Sequence, residues 1–173
     1  MSNVDAAEIA KFSELAHRWW DPNSEFKPLH EINPLRLKWI DRQVPLSGKK
    51  VLDVGCGVGG PMREIARFSG ASITGVNING YQVQKVREYN RRARLEQLCD
   101  VVEADFMNIP RSEGSVDAIY AFEATCHAPD KTALFRELFR VLKPGGKVAI
   151  YEWCLTDRYD ARDHEHVKLK RDI

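Results

Sequence analysis

The stretch "VLDVGCGVGGP", residues 51–61, limits the fold of this chain more than any other segment. An apolar run carrying one acid, Asp53, meets Gly55, Gly57, Gly59 and Gly60, and Pro61 follows. The local reading is a buried strand, a tight turn and a helix. Glycine supplies backbone angles that other residues avoid, and proline suits a first helical turn. Gly55, Gly57 and Gly60 satisfy G-x-G-x-x-G, the spacing with which such a turn takes a dinucleotide pyrophosphate. The turn would serve a different adenosine cofactor equally well, and the remaining residues decide between them.

Beyond residue 48 strand and helix patterns alternate. Strands are expected at 49–54, 72–78 ("SITGVNI"), 100–106 ("DVVEADF"), 115–122 ("SVDAIYAF") and 147–153 ("KVAIYEW"). Between them lie a helix from Pro61 to Gly70, one capped by Asn79 and running to about Leu95, and one capped by Asp130 and stopped at Pro144-Gly145-Gly146. This alternation predicts an α/β fold with a mostly parallel sheet of about five strands and right-handed crossovers. Residues 1–47 differ. "EIAKFSELAHRWW" places Ile9, Phe12, Leu15, Ala16 and Trp19 on one helical face, and "NPLRLKWIDRQV" offers Asn33 as a cap with Pro34 in the first turn. The expected organisation is a helical cap over 1–47 and a cofactor-binding domain over 48–173.

At 173 residues with 43% hydrophobic and 29% charged content, the chain has the composition of a globular domain. A net charge of +1 gives no reason to expect nucleic acid, and the basic "REYNRRAR" (87–94) reads as a solvated helix face. No apolar run approaches the roughly 20 residues of a membrane span, and the N-terminus lacks the order of a secretory signal. Cys56, Cys99, Cys126 and Cys154 form no C-x-x-C pair, so reduced thiols in a cytoplasmic protein are expected. His164 and His166 read as surface histidines.

In a sheet of this kind, ligands sit outside the carboxyl ends of the strands. That gathers Gly55 to Gly60, Asn77, Asp105, Phe122 to His127 and Trp153 around one crevice. Two residues disfavour a dinucleotide. Asp53, ahead of the turn, would repel phosphate and favour an ammonium or sulfonium group. Asn77 stands where an NAD site would offer Asp or Glu to the ribose. S-adenosyl-L-methionine carries both cations and no phosphate, and Asp105 could accept a hydrogen bond from its adenine amino group.

"VLDVGCGVGG", "EADF" and "LKPGGKVAIYEW" together resemble the motifs of class I S-adenosylmethionine-dependent methyltransferases. The resemblance implies a Rossmann-like methyltransferase fold with strand order 3-2-1-4-5, here without the last two strands of that family. Two subfamilies share the chain. Residues 51–173 resemble sterol 24-C-methyltransferases through "DVGCGVGGP", "DFMNIP", "FEATCHAPDK", "FRVLKPGG" and "YEWCLTDRYD". Residues 8–57 resemble the O-methyltransferase of ubiquinone biosynthesis through "EIAKF", "RWWD", "EFKPLHEINPLRL" and "GKKVLDVGCG". The two meet at the glycine turn, the pattern of a recombined, designed or reconstructed chain.

The resemblance implies cofactor contacts from Arg36, as a fork for the methionine carboxylate, and from Gly55, Asn77 and Phe122, and the candidate set is completed by Asp53, Cys56, Gly57, Ile78, Gln82, Asp105 and Phe106. Glu123 and His127 are the candidate catalytic pair, with Tyr151, Glu152 and Trp153 as further lining. The quinone-type Glu-x-x-Glu-His metal pattern is broken by Cys126, so no metal is expected. The implied acceptor is a hydrophobic small molecule, either a sterol methylated at carbon or a polyprenyl phenol methylated at oxygen. A cofactor-binding chain without turnover is the other alternative. Such acceptors leave room for peripheral membrane contact, and an exposed last strand favours a homodimer.

Overall fold

In β1 (Lys50–Val54) one exposed lysine precedes four buried residues, as expected of a central strand covered on both faces. The computed structural model describes residues 6–15, 18, 23–24 and 27–172. β1 pairs in parallel with β2 (Ser72–Asn77) on one side and β4 (Val116–Phe122) on the other. β3 (Cys99–Glu103) adds beside β2, and β5 (Leu142–Tyr151) beside β4, giving the expected order β3-β2-β1-β4-β5. The order reverses between β1 and β4, which opens a crevice at the carboxyl ends of those strands.

The helices are α1 (Ala6–Leu15), α2 (Lys27–Gln43), α3 (Gly60–Ser69), α4 (Gly80–Arg92), α5 (Lys131–Val141) and α6 (His164–Asp172). Local signals set several ends. Gly70, left-handed at φ 70°, closes α3 by donating its N–H to the Ala66 carbonyl. The Asn79 and Asp130 side chains accept from the Gln82 and Ala133 N–H groups and so start α4 and α5. Alternation along β1 then divides the core. Val51 joins Met62, Ile65, Val83 and Val86 under α3 and α4, with Ile40 of α2, whereas Leu52 and Val54 join Leu134 and Leu138 under α5.

Four boundaries differ from the sequence expectation. α2 does not start at Asn33: it runs from Lys27, with Pro28 in its first turn and Pro34 inside it. Pro28 has the position where a missing N–H matters least, and burial of Asn33, Arg36 and Ile40 on one face holds the helix through Pro34. α4 ends at Arg92, where the Ala93 N–H turns back on the Tyr89 carbonyl, rather than near Leu95. β3 ends at Glu103, which leaves Asp105 and Phe106 in the loop beyond it. α5 ends at Val141, and "LKPGG" belongs to β5, whose register against β4 shifts between Val116 and Ala118. Leu142 pairs with Val116 and Lys147 with Ala118, so residues 143–146, with both glycines, bulge between two stretches of ladder, and Trp153 falls past the strand.

Ala16 and Trp19 of the expected N-terminal face, with Trp20 and Asp21 of "RWWD" and Glu25 and Phe26 of the following motif, lie outside the described residues. In the final helix region His166 Nδ1 accepts the Asp160 N–H at 3.1 Å. Among the described residues no helix is long and apolar enough to cross a membrane.

Candidate functional site

The glycine turn is tied to the end of β2. The N–H groups of Gly55 and Cys56 both donate to the Val76 carbonyl, at 2.9 and 3.2 Å. Asn77 Nδ2 donates to the Gly57 carbonyl at 3.1 Å. Gly55 has φ 70°, and a Cβ there would stand 2.4 Å from the Ala124 Cβ, so only glycine fits between the turn and the loop after β4. Cys56 turns its side chain into the core against Gly75, leaving only its backbone for a ligand.

Asp53 sits beneath this turn, 3% exposed. It accepts a hydrogen bond from the Tyr120 hydroxyl at 2.8 Å. Burial dominates over that bond and pushes the Asp53 carboxyl up to about 7. Tyr120 was not among the sequence candidates. Its signal was the pairing register, which sets Asp53 directly opposite Tyr120.

Arg36 is the centre of the site on the β4 and β5 side. It is 8% exposed, its guanidinium lies 4.3 Å from the Tyr151 ring centroid and 5.0 Å from that of Phe122, and Nη2 meets Glu123 Oε1 at 2.9 Å. Its Nε is buried with no hydrogen-bond partner. Glu123 has φ 52°, a left-handed angle that a non-glycine residue adopts under constraint, and its N–H donates to the Tyr151 carbonyl. Strand β5 therefore presets both Glu123 and the arginine it neutralises.

The loop that follows is braced. Glu152 accepts from Thr125 Oγ1 at 2.8 Å and from the Cys126 and Trp153 N–H groups at 3.0 Å. Burial opposes its charge, but these hydrogen bonds prevail and hold the Glu152 carboxyl below its ordinary value. Lys131 Nζ donates to the carbonyls of Thr125, Cys126 and Ala128 at 2.6–2.9 Å. His127 is exposed at the crevice rim, its ring edge-on to Phe12 of α1 at 5.3 Å. Glu123 and His127 thus share a loop but have different partners. Among the described residues no group of three or more His, Cys, Asp or Glu side chains is arranged to hold a metal ion.

On the β2 side the expected residues come together but bond one another. Asn77 Nδ2 donates to Gln82 Oε1 at 2.7 Å, and Asn77 Oδ1 accepts the Asn79 N–H at 3.2 Å. Helix α1 lies across these groups. Asn79 Nδ2 donates to the Ile9 carbonyl and Ser13 Oγ, and Gln82 Nε2 to the Phe12 carbonyl. Asn79 was expected only as a helix cap; its second role as a clamp on α1 left no sequence signal. Ile78 is half-buried beside this group. Asp105 and Phe106 are half-buried, Asp105 Oδ1 accepting the Met107 N–H at 2.8 Å. Asp105 is thus engaged in its own turn through one oxygen.

Two clefts of about 270 and 180 Å³ lie toward the opposite, amino ends of the strands. Of the set just described, Tyr120 alone lines the larger of them, and none lines the smaller. At the carboxyl ends, α1 lies across the β2 side of the crevice through its bonds to Asn79 and Gln82.

The chain matches known proteins over most of its length. It is 55% identical over 159 residues to cycloartenol-C-24-methyltransferase 1 of Oryza sativa subsp. japonica, covering 91% of this chain and 45% of that protein. It is 49% identical over 148 residues to the ubiquinone biosynthesis O-methyltransferase of Thiobacillus denitrificans, covering 86% of this chain and 63% of that protein. The chain therefore spans about half the length of these relatives. The crystal structure of geranyl diphosphate C-methyltransferase from Streptomyces coelicolor A3(2) has the same fold, with a TM-score of 0.73 and 24% identity over 88% of this chain and 59% of that one. Residues 52–150, from within β1 to the penultimate residue of β5, match the methyltransferase domain family, and the chain belongs to it.

Proposed function

We propose that this chain binds S-adenosyl-L-methionine at the carboxyl ends of its strands and transfers the methyl group to a hydrophobic small molecule, with C-methylation of a sterol favoured. The observation that carries the reading is Arg36, buried between Phe122 and Tyr151 with its Nε unpaired. A buried guanidinium donor without an acceptor suits a ligand carboxylate, which the methionine end would bring. The likeness to the rice cycloartenol enzyme supports the sterol side.

When bound, the cofactor supplies an electrophilic methyl on a sulfonium. The chain's own residues position and shield. Gly55 and Gly57 admit the ligand backbone to backbone, Arg36 takes the carboxylate, and the Asp53 charge becomes favourable once a cation lies nearby. Asn77 and Gln82 face the ribose, and Asp105 and Phe106 the adenine. With a sterol as acceptor, an alkene carbon would take that methyl and be left cationic, the sulfur leaving as S-adenosylhomocysteine. The Tyr151 and Trp153 rings and the Glu123 carboxylate suit that cation, and His127 accepts the proton then lost. Residues 1–47 serve as the cap over a domain formed by 48–173.

The second reading, O-methylation of a quinone precursor, is favoured by the Thiobacillus relative, of which the chain covers the larger share. There a phenol needs only a base, and the rim position of His127 suits it. Both acceptors partition into membranes, so the rim would work at a membrane surface. Calorimetry with S-adenosylhomocysteine and with NAD tests the cofactor; binding of NAD alone would refute it. Incubation with labelled methyl donor plus a sterol or a polyprenyl catechol separates the acceptors, and label in neither, with the cofactor bound, would leave a binding chain without turnover.

A further inference from the structure

The buried side-chain nitrogen and oxygen atoms without a hydrogen-bond partner, among the described residues, are Arg36 Nε, Asn33 Oδ1 and Ser115 Oγ. The first two stand one turn apart on α2, and both residues are buried, Asn33 at 4% and Arg36 at 8% exposure. One is a donor and the other an acceptor.

The direction of α2 places them. Trp39, Ile40, Gln43 and Val44 line a cleft with Val51 of β1, Ala118 to Tyr120 of β4 and Lys147 to Ala149 of β5, short of the strand ends, whereas Arg36 reaches Phe122 and Tyr151, the last residues of β4 and β5. The helix therefore runs against the strands. At about 1.5 Å per residue, Asn33 lies roughly 4–5 Å beyond Arg36, past the strand ends and on the crevice side. Residues three apart on a helix hold their Cβ atoms about 5–6 Å from each other. An α-amino acid presents a carboxylate and an ammonium on one carbon, within that span.

We propose that Asn33 is a ligand-binding residue: its Oδ1 accepts a hydrogen bond from the α-ammonium of the methionine portion, while Arg36 Nε donates to the carboxylate of the same carbon. This rests on the reading of the site as an S-adenosylmethionine site. The carboxylates nearby have partners already, Asp53 with Tyr120 and Glu123 with Arg36. They supply field, and Asn33 supplies direction. Leaving two buried groups unsatisfied destabilises the free protein, and the amino-acid end of the ligand satisfies both.

The test is calorimetry on the full chain with three ligands: S-adenosylhomocysteine, its deamino analogue, and 5'-methylthioadenosine, which lacks the amino-acid end. Asn33→Ala should weaken S-adenosylhomocysteine about tenfold to hundredfold and leave the other two unchanged. Asn33→Asp, which keeps the acceptor and adds charge, should restore binding and widen the preference for S-adenosylhomocysteine over the deamino analogue. That preference can be read on the aspartate variant even if the alanine variant does not fold. Arg36→Lys should weaken both carboxylate-bearing ligands and spare 5'-methylthioadenosine. Equal loss for all three ligands in Asn33→Ala would overturn the proposal in favour of a structural role, and no loss for any would mean that Oδ1 binds a water only. Failure of the unaltered chain to bind S-adenosylhomocysteine would remove the proposed function and this inference together. Binding that is insensitive at Asn33 would remove this inference alone.

Discussion

Asp53 makes the stability of this protein depend on pH in a direction opposite to that of most carboxylates. Its carboxyl is fully buried and moves from 3.8 to about 7, with burial as the main cause and the Tyr120 hydroxyl opposing it. The folded state therefore holds a proton that the unfolded chain has already released between those values. Stability from this group is complete below pH 3.8, declines as pH rises through the window, and is gone above about 7. At about 1.4 kcal/mol for each tenfold change in proton affinity, the full effect is about 4 kcal/mol. Asp53→Asn keeps an acceptor for Tyr120 and removes the charge. Urea denaturation at pH 5, 6, 7 and 8 should show the unaltered protein losing stability relative to the variant with each step, by about 3 kcal/mol in all. Taking the difference between the two proteins cancels Asp117, Glu137 and Glu152, whose carboxyls lie below their ordinary values and contribute the opposite slope. A cationic ligand should reverse the effect by favouring the charged form, so S-adenosylmethionine affinity should rise through pH 7 in the unaltered protein only. Parallel stability curves for the two proteins would refute the reasoning.

Other outcomes follow from the same geometry. Gly55→Ala, forced to φ 70° and against Ala124, should destabilise by about 3 kcal/mol in denaturant titration. Asn79→Ala removes the cap of α4, costing about 1 kcal/mol, and should raise amide exchange in residues 6–15 well above that in β1. Lys131→Met frees three loop carbonyls and should speed proteolysis at 124–128 with little change in the sheet's exchange. The β5 edge, with Val148 and Tyr151 about 40% exposed, predicts a dimer mass in light scattering that Val148→Lys reduces; a strict monomer in both would exclude pairing there.

What the sequence made legible was whatever local chemistry decides. Gly70, Asn79 and Asp130 mark helix ends because each satisfies backbone groups by itself. The parallel sheet followed from alternation and handedness, whereas its strand order came from the family resemblance. Elements that depend on distant partners were harder. Pro34 looked like a helix start because its tolerance inside α2 comes from the sheet beneath it. "LKPGG" looked like a stop because what keeps it in β5 is the pairing of Leu142 and Lys147 with β4 on either side of the bulge, which is not local. Within the site, Arg36, Asp53 and the glycines could be placed by motif. Tyr120 and Asn33 could not, since one acts through strand register and the other through a missing partner, and neither property is written along the chain.

Helix α1 crosses the crevice on bonds from Asn79 and Gln82 and one ring contact between Phe12 and His127. Gln82 is at once a bond to α1 and a partner of Asn77, the residue expected to meet the ribose. Drawing Asn77 toward a ligand would alter what Gln82 can offer the helix. Cover and ligand then share one set of hydrogen bonds, and their free energies are linked reciprocally. Whatever tightens α1 must weaken or strengthen the ligand by the same factor that the ligand applies to α1. The cover is in effect a competitor or an ally written into the binding constant, and a change at Ser13, far from any reacting atom, would be read in that constant.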